Sequence, residues 1–426
     1  MNMKIFFSGL GGVGIGPLAQ ISHYADYDVT GSDQNRSLLT DELKNLGIKF
    51  KIGEQDGDFL FESHKEKPVD LFVHTSALHD NHPELKMAKT LNIKTAKRDE
   101  LLSEIIKDKK QKLIALAGTH GKTGSTALTV WIFKQLNIPV SYSIGSTISF
   151  GPSGFYNSKS KFFVYECDEF DKNFLHFSPY LSIISSLDYD HPDTYPSKAD
   201  YIDAFKKFVQ KSQHVIAWDD QPTEVFQNSA AALQKKSQAD PNITLPGKHN
   251  RENATLVLKG LEEIGVINKE NYDLAINAIN SFPGANRRFE KLLPNLYTDY
   301  GHHPVEIEAT LKMAKEVAKN KVVLVYQPHQ NIRQHNIKNE YEDQFLDADI
   351  IYWLPTYLSR EDKSLKIIPP QELTKNIINK DKIVYSELDN NLWQEIQKNL
   401  DNSNLVIGMG AGNIDEWLRR KSLSEQ

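Results

Sequence analysis

Short apolar runs recur along the chain, and each is followed by a turn and then by a longer stretch of mixed apolar and polar residues. The turns contain glycine, acidic residues or histidine. A short apolar run before such a turn is typical of a buried parallel strand, and the longer stretch is typical of a helix packed on the sheet. The pattern predicts strands at 4–8, 28–31, 71–75, 113–117, 162–165, 181–185, 322–326, 350–354 and 405–407.

This alternation predicts an α/β fold with mostly parallel sheets. At roughly 150 residues per domain, a chain of 426 residues suggests three domains. We predict domains at 1–107, 108–283 and 284–426, of which the first and last are Rossmann-like and the central one is similar to a P-loop ATPase. The charged stretch 106–112 shows no apolar face and is predicted to be the first linker.

The composition restricts the class of protein. Hydrophobic residues make up 39% of the chain and charged residues 25%, as in an ordinary globular protein. No apolar run is long enough for a membrane span and the first residues lack signal-peptide features, so we expect a cytoplasmic protein. The net charge of -6 argues against a dedicated nucleic-acid binder. The single cysteine, Cys167, excludes an intramolecular disulfide, and we expect it to be buried and not a nucleophile.

The most informative stretch is 113–126, LIALAGTHGKTGST, in which an apolar strand leads into glycines, then lysine and threonine, then a helix. Glycines let backbone N–H groups surround phosphate oxygens, and the helix N-terminus adds partial positive charge. Lys122 can reach a β- or γ-phosphate, and the Thr123 hydroxyl can bind Mg²⁺. The sequence therefore predicts an ATP-type phosphate loop formed by Gly118, Thr119, His120, Gly121, Lys122, Thr123 and Gly124.

Acidic and histidine-bearing turns follow the next two strands. Residues 166–171 read ECDEFD, and residues 188–191 read DYDH. The carboxyl ends of parallel strands converge on the ligand crevice of an open α/β sheet, and Mg²⁺ prefers oxygen ligands. We therefore predict that Glu166 and His191 join Thr123 at a metal–nucleotide site.

A different glycine-rich turn opens the chain. Residues 9–14 read GLGGVG, and Asp33 follows at about the spacing of a dinucleotide-binding fingerprint. Taken alone, this turn favours an NAD-dependent oxidoreductase. The alternative to a dinucleotide site is a site for another diphosphate, because the N-terminus of the first helix attracts any such anion in the same way.

Together with later motifs, these stretches resemble the Mur ligase family, the ATP-dependent amide ligases of peptidoglycan synthesis. The resemblance covers essentially the whole chain. It rests on the first glycine-rich turn with TGSD at 30–33, GTHGKT at 118–123, ECDEFD at 166–171, DHPDTY at 190–195, GKHNREN at 247–253, RRF at 287–289, DYGHHP at 299–304 and QPH at 327–329. Within the family, GTHGKT, DYGHHP and QPH are most similar to the branch that joins L-alanine to UDP-N-acetylmuramate.

The resemblance implies that the first domain binds the UDP-sugar, the second binds ATP and the third binds the amino acid. It implies that ATP converts the muramoyl carboxylate to an acyl phosphate, which the amine of alanine then attacks. ATP and Mg²⁺ are the expected cofactors. The expected partners are small-molecule substrates, without nucleic acid or membrane, and the chain is expected to be a monomer or homodimer. Beside these motifs, the first glycine-rich turn is expected to bind the UDP diphosphate.

The family's motifs also imply roles for individual residues. Lys122 and Thr123 are expected to hold the ATP phosphates with Mg²⁺, and Glu166 and His191 are expected to hold metal near the γ-phosphate. The other expected contacts are Asn250 and Asn253 for adenine; Arg288, Asp299 and Tyr300 for the nucleotide after domain closure; His329 and Arg333 for the amino acid; and Gly11, Gly12, Val13, Gly14, Ser32, Asp33 and Ser76 for the UDP-sugar.

One departure from the family's pattern concerns the acceptor. The family usually has arginine after QPH, whereas this chain has Gln330, which cannot form a bidentate ion pair with a carboxylate. Arg333 is retained for that role. Gln330 leaves open a second activity of the family, the attachment of a murein tripeptide in recycling. A non-catalytic nucleotide-binding regulator is a third alternative, against which the complete phosphate loop and metal residues argue.

Overall fold

The computed structural model describes residues 2–12, 14–75, 78–191, 194–234, 236–359, 361 and 364–424. Its strands are β1 (Lys4–Ser8), β2 (Asp28–Asp33), β3 (Lys49–Ile52), β4 (Leu71–His74), β5 (Lys94–Lys97), β6 (Lys112–Ala117), β7 (Ser141–Ser143), β8 (Gly154–Phe155), β9 (Phe162–Glu166), β10 (Leu181–Ile184), β11 (His214–Trp218), β12 (Ala231–Gln234), β13 (Glu290–Leu293), β14 (Leu296–Asp299), β15 (Val322–Tyr326), β16 (Ile350–Trp353), β17 (Ile383–Tyr385) and β18 (Leu405–Met409).

The helices of the described residues lie between these strands. They are α1 (Ile15–Tyr24), α2 (Leu38–Asn45), α3 (Asp58–Glu66), α4 (Pro83–Thr90), α5 (Arg98–Asp108), α6 (Lys122–Gln135), α7 (Lys198–Gln210), α8 (Lys248–Glu263), α9 (Tyr272–Asn280), α10 (Pro304–Val317), α11 (Asn331–Ile337), α12 (Pro370–Leu373), α13 (Asn390–Asp401) and α14 (Ile414–Leu423). All nine predicted strands are present, with ends that differ from the prediction by at most two residues.

The strands form three sheets within the described ranges. The first has the order β3-β2-β1-β4-β5 and is parallel throughout. The second has the order β12-β11-β10-β6-β9-β7-β8, and the third has the order β13-β14-β18-β15-β16-β17. In each of these two sheets one edge pair is antiparallel, β7 with β8 and β13 with β14. The mostly parallel α/β fold is therefore confirmed.

Burial explains why the central strands read as continuous apolar runs. Every residue of β1, β15 and β18 is buried, because helices cover both faces of a parallel sheet. Edge strands such as β3 and β17 are half-buried or exposed. The burial of the central strands holds their carboxyl ends in place, and it also positions the glycine-rich and acidic turns that follow these strands.

The chain forms two compact units. One contains Met1–Ile243 and Glu252–Pro283, and the other contains Thr244–Arg251 and Gly284–Gln426. The first two sheets belong to the first unit and the third sheet belongs to the second. The domain limits after residues 107 and 283 stay predictions. Among the described residues, no helix has both the length and the apolar character that crossing a bilayer requires.

The predicted linker at 106–112 is wrong. Helix α5 continues through residue 108, and Ile106 is buried at its end. Gln111 is also buried, and its side-chain amide donates to Ser141 Oγ at 2.9 Å and to the Ser160 carbonyl at 3.0 Å. Lys107 and Asp108 are exposed on the last turn of α5, and Lys112 begins β6, so the density of charge did not indicate an unstructured connection.

Candidate active site

The phosphate loop is held by two glycines and by its own lysine. Gly118 has φ 125° and Gly121, which precedes α6, has φ 82°. These are left-handed conformations that glycine adopts without a steric penalty. Lys122 folds back over the loop and donates from Nζ to the Gly118 carbonyl at 2.7 Å and to the Thr119 carbonyl at 3.3 Å. The loop therefore has a defined shape around the lysine ammonium.

Lys122 is paired with an acid that the sequence analysis did not select. Its Nζ lies 3.0 and 2.8 Å from the two carboxylate oxygens of Glu169. The Glu169 side chain is fully buried and the Lys122 side chain is 13% exposed. Burial disfavours the lysine charge, but Glu169 and Asp168 outweigh it and raise the pKa of Lys122 above its usual value. Burial raises the pKa of the Glu169 carboxyl as well, and Lys122 opposes that shift. Because the ammonium lies against both carboxylate oxygens, the pair is ionic and largely shielded from water.

The predicted metal ligands Thr123 and Glu166 lie together next to this pair. Thr123 Oγ1 donates to Glu166 Oε1 at 2.9 Å, and the other Glu166 oxygen accepts from the Gly145 backbone N–H at 2.9 Å. Thr123 is on the first turn of α6 and Glu166 is the last residue of β9. Because β6 and β9 are neighbouring parallel strands, the phosphate loop and Glu166 lie side by side at the carboxyl end of the sheet.

The third predicted ligand, His191, lies near a different set of acids. Its Nε2 is 3.8 Å from Glu169 Oε1. Asp168, Glu169 and His191 can each offer a ligand atom within 4.8 Å of the others. These carboxylates and the Thr123–Glu166 pair supply the hard oxygen donors that Mg²⁺ prefers, so the residues present fit the predicted cofactor. Sequence reasoning missed Asp168 and Glu169 because each acid of the ECDEFD turn, taken singly, resembles an ordinary solvated turn residue.

The predicted adenine pair is divided between the two compact units. Asn253, in the first unit, lies against the phosphate loop, where a Cβ on Gly121 would be 2.3 Å from its Nδ2. Asn250, in the second unit, donates from Nδ2 to the Pro246 carbonyl at 2.9 Å. Both residues are in the first two turns of α8. Asn253 therefore lies against the predicted phosphate loop, and its contact with adenine stays a prediction.

The first glycine-rich turn is closed by Asp33 and the strand that carries it. The Gly9 N–H donates to the Ser32 carbonyl at 2.8 Å, and the Gly11 N–H donates to Asp33 Oδ2 at 2.8 Å. This hydrogen bond engages the carboxylate that the oxidoreductase hypothesis requires for a ribose. Gly12 is exposed and Gly14 precedes α1. Val13 and Ser76, also predicted here, lie outside the described residues.

The second unit brings the predicted amino-acid residues together at the end of β15. The His329 ring stacks on Tyr357 with centroids 5.9 Å apart and meets the His302 ring edge-on at 5.7 Å. Burial lowers the pKa of each histidine to about 4, so both imidazoles are neutral near pH 7. Arg333 Nε is buried with no hydrogen-bond partner among the described residues. An unpaired buried donor of this kind calls for an acceptor.

The remaining predicted residues of this unit lie around one tyrosine. The Arg288 guanidinium is 5.3 Å from the centre of the Tyr300 ring, within cation–π range. Asp299 is buried and accepts from the Phe289 and Gly301 N–H groups, both at 2.7 Å. Burial raises the pKa of the Asp299 carboxyl. The carboxylate therefore fixes the loop between β14 and α10, and its expected contact with nucleotide stays a prediction.

Cys167 is fully buried within the first unit, as predicted. Burial raises the pKa of its thiol well above the usual value, so the reactive thiolate is suppressed. The residue is a packing element of the acidic turn.

Comparison with known proteins finds relatives that are similar along nearly the whole chain. The model described as Mur ligase family, catalytic domain, matches residues 4–110, and the Mur ligase middle domain matches residues 116–240. The UDP-N-acetylmuramate–L-alanine ligase of Clostridium perfringens is 31% identical over 97% of this chain and 96% of the relative. That of Clostridium tetani is also 31% identical, over 96% of both chains.

Two solved structures share the fold. The crystal structure of UDP-N-acetylmuramate-alanine ligase from Thermotoga maritima aligns over 100% of both chains with a TM-score of 0.79 at 24% identity. A murein peptide ligase from Psychrobacter arcticus aligns over 100% of this chain and 99% of that one, with a TM-score of 0.67 at 20% identity. Since the sequence similarity runs through nearly the full length of this chain and its clostridial relatives, the chain belongs to the Mur ligase family.

Proposed function

We propose that this chain joins L-alanine to the carboxylate of UDP-N-acetylmuramate, with conversion of ATP to ADP and phosphate. The observation that carries the proposal is the buried phosphate-loop lysine, Lys122, beside the Thr123–Glu166 pair. Such a site handles phosphoryl groups. The names of the clostridial relatives, similar over their whole length, support the choice of substrates.

The chemistry follows from the poor reactivity of a carboxylate. A substrate carboxylate oxygen attacks the γ-phosphorus of ATP, ADP departs, and an acyl phosphate forms. The free amine of alanine then attacks the acyl carbon, and the tetrahedral intermediate expels phosphate and leaves an amide. Lys122 would neutralise charge on the transferring phosphoryl group, since electrostatic stabilisation is the main contribution a protein makes to such a transfer.

Mg²⁺ would be held by Thr123 and Glu166, and His191 with Asp168 offers a second set of donors. When bound, the ion supplies positive charge to the phosphate oxygens. Glu169 is engaged by Lys122 in this structure. Nucleotide phosphates compete with that carboxylate for the ammonium, so Lys122 would exchange Glu169 for phosphate as ATP binds.

The acceptor site would be the cluster at the end of β15. Arg333 has a buried donor without a protein acceptor, which suits the carboxylate of an amino acid. The neutral imidazoles of His302 and His329 add no competing positive charge. Arg333 would therefore bind the carboxylate of alanine by itself, although this chain has Gln330 where the family usually has an arginine. These substrates are small molecules, and we place the reaction in the cytoplasm.

The test is phosphate release from ATP and Mg²⁺ in the presence of UDP-N-acetylmuramate. Separate reactions contain L-alanine, glycine, L-serine or a murein tripeptide, and mass spectrometry identifies the product. We expect release and an alanyl adduct with L-alanine. Lys122→Ala should abolish release, and its melting temperature would verify that the variant folds.

The other outcomes separate the alternatives. Release with the tripeptide in place of L-alanine would assign the chain to recycling. Nucleotide binding without release for any acceptor would contradict the ligase proposal and favour a regulator.

A further inference from the structure

A cavity of about 140 Å³ lies within the first unit, between elements of the first and second sheets. One wall is formed by Gly14 at the start of α1 and by Arg98 at the start of α5. Glu166 and Asp168, at and beyond the end of β9, also line the cavity. Because Glu166 is also bonded to Thr123 of the phosphate loop, the cavity joins the first glycine-rich turn to the phosphoryl-transfer site.

Arg98 is held in a fixed orientation by the residue that follows it. Its Nε donates to Asp99 Oδ2 at 3.0 Å and its Nη2 donates to Asp99 Oδ1 at 3.2 Å. The Asp99 side chain is only 3% exposed, and the Tyr165 hydroxyl donates to it as well. These contacts use one edge of the guanidinium. Nη1 has no acceptor among the described residues and is left for another partner.

Nη1 lies directly against Gly14. A Cβ on Gly14 would be 2.6 Å from Nη1 and 3.3 Å from Cδ of Arg98. Gly14 has φ -90° and ψ -41°, which any residue can adopt. Its backbone therefore does not require glycine, but a side chain at this position would displace the Arg98 guanidinium. The guanidinium thus adds its charge to the positive N-terminal end of α1.

We propose that Arg98 binds the carboxylate of the sugar substrate and presents it for phosphorylation. This inference rests on the proposed function. An anion at Nη1 lies in the same small cavity that Glu166 lines, and Glu166 is bonded to Thr123 of the phosphate loop. Of the anionic groups of a UDP-sugar acid, only the carboxylate reacts with ATP, and it must therefore come close to the phosphate loop. An arginine suits this carboxylate because the planar guanidinium keeps free N–H groups after it has paired with Asp99.

The test compares two ligands that differ in the carboxylate. UDP-N-acetylmuramate and UDP-N-acetylglucosamine share the diphosphate, but the second lacks the lactyl carboxylate. Isothermal titration calorimetry on the full chain gives both dissociation constants for the wild type, Arg98→Gln and Lys97→Gln. Lys97 is the matched control, since it is the adjacent cation and pairs with Asp171 at the surface. Loss of one charged hydrogen bond should weaken UDP-N-acetylmuramate roughly 10- to 100-fold in Arg98→Gln alone.

A second variant guards against misfolding, because removal of Arg98 leaves the buried Asp99 without its partner. Gly14→Ala keeps the arginine but displaces its Nη1. It should lower the preference for UDP-N-acetylmuramate over UDP-N-acetylglucosamine in the same direction. Equal weakening of both ligands, or no change in either variant, would overturn the inference while leaving the ligase proposal intact. Failure of the wild type to bind UDP-N-acetylmuramate would overturn both.

Discussion

The buried pair of Lys122 and Glu169 allows a prediction in which stability and ligand affinity change in opposite directions. Glu169→Gln keeps the shape of the side chain and one acceptor but removes the charge that faces Lys122 Nζ at 2.8 and 3.0 Å. Breaking a buried ion pair costs about 3–5 kcal/mol. The Gly118 and Thr119 carbonyls still accept from Nζ, so we expect a smaller loss of about 2–3 kcal/mol.

The assay is thermal unfolding without nucleotide. At about 2–4 °C per kcal/mol for a folding unit of this size, Glu169→Gln should lower the melting temperature by about 5–10 °C. Glu66→Gln is the matched control, because Glu66 forms a 2.9 Å ion pair with Lys49 in which both side chains are largely exposed. Loss of that surface pair should change stability by less than about 1 kcal/mol.

Nucleotide binding should respond with the opposite sign. If Lys122 leaves Glu169 for a phosphate, the variant no longer has to break the ion pair, and ATP should bind more tightly by roughly 10- to 100-fold in the absence of Mg²⁺. A double-mutant cycle with Lys122→Met should give a coupling energy of about 2 kcal/mol or more. Additive single effects, or weaker ATP binding by Glu169→Gln, would refute this description of the pair.

Three further predictions concern other parts of the chain. Gly121→Ala places a Cβ at a residue with φ 82° and within 2.3 Å of Asn253 Nδ2, so it should lower the free energy of unfolding in denaturant by about 1–3 kcal/mol. Gly124→Ala is the control, because Gly124 lies in α6 with open space around it, and it should raise the free energy of unfolding by about 0.5–1 kcal/mol. Equal effects of the two variants would contradict the strain assigned to Gly121. Burial lowers the pKa of His302 to about 4, below its ordinary value of about 6.5, so its contribution to stability is present above pH 6.5 and is lost as pH falls toward 4. That contribution is roughly 3 kcal/mol. His302→Asn should melt with a flatter pH profile than the wild type, and parallel profiles would refute the assignment. The Cys167 thiol should react with Ellman's reagent only after unfolding, since it is fully buried; rapid titration of the native chain would contradict that burial.

The fold was predictable from the sequence where the physics is local. Strands β1 and β15 coincide with their predicted limits, because a strand buried on both faces must be apolar at every position. The phosphate loop was predictable for the same reason, since glycine, lysine and a helix start act within a few residues of one another. Edge strands such as β3, which are half exposed, carry no comparable apolar pattern and were not predicted.

The partners of the site residues depend on contacts between distant parts of the chain. Lys122 and Glu169 are 47 positions apart, and a pattern of acids in a turn does not indicate which of them faces the loop. The same holds for Arg98, which was not selected, although Gly14 was selected for the first turn. There the glycine leaves room for a side chain from another helix, and only the folded structure reveals which one.

The central claim is that the substrate carboxylate passes through an acyl phosphate. The most direct measurement uses UDP-N-acetylmuramate with ¹⁸O in that carboxylate, ATP, Mg²⁺ and L-alanine, and reads the released phosphate by mass spectrometry. We expect one ¹⁸O in each phosphate, because the oxygen that attacks the γ-phosphorus departs with it. Unlabelled phosphate, or ¹⁸O in AMP, would contradict the proposed mechanism.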